Sequence, residues 1–103
     1  MDIHVSKPAI QWFKKEFNLE GNGEYVRFFA RYGGCGAVQS GFSLGVSLDK
    51  PSTIGAKEEV DGLIFYVEDA DLWYFDNHDL RVKYSRKFEE IEYEYEKSTQ
   101  EKQ

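Results

Sequence analysis

Cysteine occurs once in 103 residues and proline twice. A lone cysteine forms no internal disulfide, so the chain is not one of the small cross-linked scaffolds typical of secreted proteins. No apolar run approaches the roughly 20 residues needed to cross a bilayer. No positively charged start leads into an apolar run of signal length, so a cytoplasmic protein is expected. Basic residues are also short, with 13 Lys and Arg against 19 Asp and Glu for a net charge of −6. That balance works against phosphate-backbone binding, which needs clustered cations. Secreted, membrane and generic nucleic-acid-binding classes are thereby excluded.

Aromatic residues are abundant instead: eight Phe, seven Tyr and two Trp. A single domain of this size can bury a core on such side chains without cross-links. The charge is uneven. Residues 1–57 carry seven basic and five acidic groups, whereas residues 58–103 carry six and fourteen. A basic partner would meet the second half.

Along the chain, Asp2 to Val5 reads as a short strand, and Ser6 can cap a helix that tolerates Pro8 in its first turn. Ala9, Ile10, Phe13 and Phe17 fall at helical spacing, and Gly21-Asn22-Gly23 ends the segment with a turn. Glu24 to Tyr32 alternates as a strand, with Val26, Phe28 and Ala30 on one face. After the Gly33-Gly34-Cys35-Gly36 loop, Val38 to Leu48 reads as a strand in which Gly41 and Gly45 mark bulges or close backbone approach. Ala56 to Val60 and Leu63 to Val67 are strands joined by a turn at Asp61-Gly62. Asp69 to Phe75 reads as a helical turn or two with acidic residues at its start. Leu80 to Tyr84 and Phe88 to Glu96 form a hairpin whose Arg81 and Lys83 can pair with Glu90, Glu92, Glu94 and Glu96. Residues 97–103 make a polar tail. The expected architecture is a mainly antiparallel sheet structure with one packed helix.

Cys35 is the most informative single residue, since its flanking glycines let the backbone bring a thiol close to another group. It reads as a metal-ligating or transfer thiol, or as a small buried hydrophobe, and spacing alone favours the second. His4 and His78 could join it in a zinc site or a thiol-enzyme pair, although no paired-ligand spacing supports either. Trp73, Tyr74 and Phe75 read as core or as a partner-binding surface, with core the commoner outcome. The glutamate stripe could bind cations or a basic partner or be a solvated strand face, and the solvated face is the commoner outcome, because carboxylates along a strand do not converge on a metal.

Taken in order, Ile3-His4-Val5-Ser6, the strand Tyr25 to Tyr32 entering Gly33-Gly34-Cys35-Gly36, then Gly62 to Val67 and Leu72 to Phe75, the pattern resembles the HesB-like family that includes the A-type iron–sulfur carriers. The resemblance covers about residues 2–95. It implies a β-rich pseudobarrel of largely antiparallel strands with one N-terminal helix and a short second helix, a single domain over residues 1–96. In the carriers three cysteines bind iron or a cluster. Cys35 matches the one in the glycine turn, and the C-terminal Cys-x-Cys pair has no counterpart here.

The resemblance therefore implies an ancillary role in iron–sulfur or iron handling, with Cys35 as sole thiolate ligand. The cofactor would be iron or a cluster bridged between subunits of a homodimer, and the partners would be iron–sulfur assembly or client proteins. The alternative is a protein–protein interaction domain that has kept the fold and lost the cluster. Neither reading makes the chain an enzyme.

Overall fold

The computed structural model describes residues 1–34 and 38–97. The strands are β1 (Ile3–Val5), β2 (Glu24–Tyr32), β3 (Phe42–Ser47), β4 (Ile54–Val60), β5 (Leu63–Glu68), β6 (His78–Ser85) and β7 (Glu90–Lys97). Helix α1 spans Lys7–Glu16, and a 3-10 helix spans Asp69–Phe75.

Local sequence accounts for each. Ser6 sits in extended backbone and its hydroxyl accepts the Ala9 amide at 3.3 Å, capping α1, with Pro8 in the first turn. Lys14 and Lys15 lie in the last turn, where they oppose the negative end of the helix dipole. The β4–β5 hairpin turns on Asp61 and Gly62, both at positive φ, as a two-residue hairpin loop requires. Gly45 in β3 fulfils the close-approach expectation: a Cβ there would stand 2.6 Å from the Phe29 ring. Gly41 lies outside the strand, because β3 starts only at Phe42.

The strands form two mixed sheets, ordered β1-β6-β7 and β3-β2-β5-β4. The β2–β3, β4–β5 and β6–β7 pairings are antiparallel, whereas β1–β6 and β2–β5 are parallel. The chain is mainly β, as expected, but the pseudobarrel of largely antiparallel strands is corrected: the described strands make no closed barrel. The physical reason is that each sheet ends in strands that pair with no further strand among the described residues, while the parallel pairs join segments distant in sequence, Ile3 with Leu80 and Glu24 with Leu63. The edges are β1 and β7 in one sheet and β3 and β4 in the other. Lys97 still belongs to β7, and the rest of the expected tail lies outside the described residues.

Helix α1 packs on β6, and Phe13 is the hub of the core. Its ring stands edge-on to Phe28 and Phe65 at 6.0 and 5.4 Å between centroids. Val26, Phe28, Phe65 and Val67 from one sheet meet Leu80 and Val82 from the other in one buried cluster. That core fixes the ends of β2 and β5, and with them the surface described next.

Candidate partner-binding surface

Cys35 lies outside the described residues. His4 is exposed on β1 opposite Arg81, and His78 stands three positions from Arg81 along β6, roughly 10 Å at the rise of a strand. The His78 Nδ1 lies 2.9 Å from the carbonyl oxygens of both Phe75 and Asp76, so that nitrogen is the donor. Among the described residues no group of three or more His, Cys, Asp or Glu could hold a metal. The glutamate stripe is partly neutralised as charge alternation predicts, with Arg81–Glu96 at 3.0 Å and Lys83–Glu94 at 3.1 Å.

The aromatic segment divides. Side chains one apart in a 3-10 helix point about 120° from each other, so three successive aromatics cannot all face one core. Tyr74 and Phe75 are buried against Tyr95. Trp73 is turned out and is 49% exposed. Tyr32, the last residue of β2, is 85% exposed, and its cross-strand partner is Phe42. Phe42 meets Tyr32 edge-on at 5.7 Å and Trp73 edge-on at 5.0 Å. Tyr32, Phe42 and Trp73 thus make one aromatic surface from three separate parts of the sequence.

This surface is braced by polar contacts. Arg27 Nη2 donates to Asp71 Oδ2 at 2.9 Å, tying β2 to the 3-10 helix. That bond raises the Arg27 pKa further, and the guanidinium also lies 5.3 Å from the Phe29 ring centroid. Gln39 Nε2 donates to the Trp73 carbonyl at 3.4 Å, which places Gln39 beside the tryptophan. Exposed Arg31 adjoins Tyr32. Tyr, Trp and Arg are the residue types that dominate binding hot spots, because they offer large rigid area with a polar handle. The arrangement holds no nucleophile–base pair among these side chains. It suits docking.

Sequence reasoning singled out Trp73 and missed Tyr32 and Phe42. Their signal was present: each borders the glycine-rich connection, where the strand ends leave the core, so that Tyr32 stands exposed and Phe42 only half-buried.

The same segment carries a second braced loop. Glu68 is buried, and its carboxylate accepts the amides of Ser52 and Thr53 at 2.7 and 2.8 Å. These bonds hold its pKa below the ordinary carboxylate value. The Tyr66 hydroxyl donates to the Asp49 carbonyl. Residues 49–53 are thereby fastened to the end of β5, next to the start of the 3-10 helix.

No family model matches the chain. It is 52% identical over 95 residues to the pyruvate dehydrogenase inhibitor of Bacillus subtilis, covering 92% of this chain and 99% of that protein. It is 38% identical over 95 residues to an uncharacterized protein of Staphylococcus saprophyticus, covering 90% and 97%. A further uncharacterized protein, of Staphylococcus haemolyticus, is 34% identical over 95 residues, covering 90% and 96%. The near-full-length match to an inhibitor overturns the iron–sulfur carrier reading. With it go the role in iron handling and the iron–sulfur assembly and client partners. No helix among the described residues is long and apolar enough to cross a membrane. The chain belongs to the family of the Bacillus subtilis pyruvate dehydrogenase inhibitor and these staphylococcal proteins.

Proposed function

We propose that this chain is a non-catalytic protein inhibitor that docks on a pyruvate dehydrogenase enzyme through the Tyr32–Phe42–Trp73 surface. The observation that carries the reading is the 52% identity, across nearly the whole of both chains, to a protein named for that inhibition. The aromatic surface supports it physically. Half-exposed Trp73 and strongly exposed Tyr32 are costly to leave in water and are held ready by Phe42 and by the Arg27–Asp71 pair. The contact of Trp73 with Phe42 and the tie between β2 and the 3-10 helix reduce the ordering that Trp73 must undergo on binding, which favours affinity.

The experiment is titration of the purified chain into a purified pyruvate dehydrogenase complex, with turnover and co-elution read on the same samples. Saturable loss of turnover with co-elution is the expected result. Turnover that stays constant while the chain is added to large excess overturns the proposal.

A further inference from the structure

Strand β7 ends the order β1-β6-β7, so one edge of its eight residues pairs with no strand among the described residues. Such an edge offers a row of free backbone donors and acceptors to an incoming chain. The two faces of β7 differ sharply. Ile91, Tyr93 and Tyr95 pack on the core, while Glu90, Glu92, Glu94 and Glu96 face out. Lys83 and Arg81 answer Glu94 and Glu96, but no cation of the described residues pairs with Glu90 or Glu92. Beside the strand opens a cleft of about 560 Å³ lined by Val38, Asp76, His78 and residues Tyr93 to Glu96. Val38 on its rim is next in sequence to Gln39, whose side chain bonds to the Trp73 carbonyl.

We propose that the free edge of β7 accepts an extended, lysine- or arginine-bearing segment of a partner protein as an added strand. This rests on the reading of the chain as a protein-docking module and adds a second point of attachment to the aromatic surface. Backbone hydrogen bonds to β7 supply the pairing, and the cleft beside Tyr93 and Tyr95 takes the alternate side chains that point inward. Cationic side chains on the outward face meet Glu90 and Glu92. The charge pattern selects this occupant over a second copy. Antiparallel self-pairing of β7 would set glutamates against glutamates, and like charges directly opposed across strands are destabilising.

The test uses the isotope-labelled full chain and a synthetic peptide alternating lysine with valine, in three forms: unmodified, N-methylated at every lysine, and N-methylated at every valine. An added strand donates hydrogen bonds to β7 from alternate residues only. The unmodified peptide is therefore expected to shift and protect amides of Glu90 to Lys97, one methylated form to lose binding, and the other to keep it. Glu90→Lys with Glu92→Lys is expected to weaken the unmodified peptide about 10-fold. Equal binding of both methylated forms, shifts confined to other residues, or no binding overturns the inference. Enzyme turnover plays no part in this readout, so peptide binding can fail while inhibition stands, and the reverse.

Discussion

Substituting Gly62 by alanine tests how the molecule is locked together below the aromatic surface. Gly62 sits at φ +77, and a Cβ there would come within 1.8 Å of the Gly21 carbonyl oxygen. Backbone, not a flexible side chain, is what stands in the way. Gly21 is itself fixed at φ +87, close to the Asp61 carbonyl, and the Gly23 amide donates to the Gly62 carbonyl at 2.7 Å. The left-handed conformation costs an alanine about 1 kcal/mol. Moving the two loops apart forfeits the Gly23–Gly62 bond, about 1 kcal/mol more. Loosened packing where β2 and β5 begin their parallel pairing contributes of order 1 kcal/mol again. The expected destabilisation is thus about 3 kcal/mol, summed from those three contributions.

Gly23→Ala supplies the control. Gly23 has φ +91, but a Cβ there meets nothing within 4 Å. It should cost only the conformational share, about 1 kcal/mol. In thermal and urea unfolding followed by circular dichroism, Gly62→Ala should melt roughly 10 °C below Gly23→Ala. Equal melting temperatures for the two variants would refute the reasoning, because the contact with Gly21 would then have no energetic consequence.

Two predictions concern pH. Hydrogen bonds from Ser52 and Thr53 lower the Glu68 pKa, so its stabilisation is full above the ordinary carboxylate value and lost as pH falls through the lowered value. Glu68→Gln should therefore show a shallower loss of stability on acidification than wild type, with faster amide exchange at Ser52 and Thr53 at neutral pH; parallel acid-unfolding curves would contradict this. At the alkaline end, burial pushes Tyr93 up to about 12 and raises Tyr95 further, so the stability they contribute is present below the ordinary tyrosine value and lost as pH rises through the raised ones. Tyr93→Phe should move alkaline unfolding, followed by tyrosine absorbance, to higher pH, and an unchanged midpoint would count against it.

Much of the local structure was legible in the sequence. The Ser6 cap, the Ala9-Ile10-Phe13 face and strand β2 over Glu24–Tyr32 stand where spacing and alternation put them. So do the Asp61-Gly62 turn and the charge pairing between β6 and β7. Legibility ended where distant segments meet. Nothing in Ile3-His4-Val5 says that its neighbour is Leu80-Arg81-Val82, because a parallel pair leaves no turn residue to mark it. The aromatic surface was half legible: Tyr32 and Phe42 flank one glycine-rich connection and pair antiparallel across it, but nothing local places Trp73 beside them. Tyr32, Phe42 and Trp73 come from two strand ends and a 3-10 helix, and only the folded sheet brings their rings within 6 Å of Phe42. Trp73 read with Tyr74 and Phe75 looked like core, and two of the three are. The functional expectation went astray through the order of motifs around Cys35, since similar strands and glycine turns can serve unrelated sites.

The central claim is the proposed one, that the Tyr32–Phe42–Trp73 surface carries inhibition of a pyruvate dehydrogenase enzyme. Its most direct test is inhibition of a purified pyruvate dehydrogenase complex by wild type, Trp73→Ala, Tyr32→Ala and Phe88→Ala, each first shown to be folded. Phe88 is the control, being 62% exposed at the turn between β6 and β7, at the opposite end of that hairpin from Tyr95. Loss of a hot-spot aromatic costs about 2 kcal/mol or more, so Trp73→Ala should inhibit about 30-fold more weakly than wild type. Tyr32→Ala should follow in the same direction, while Phe88→Ala inhibits like wild type. Undiminished inhibition by both Trp73→Ala and Tyr32→Ala would contradict the account.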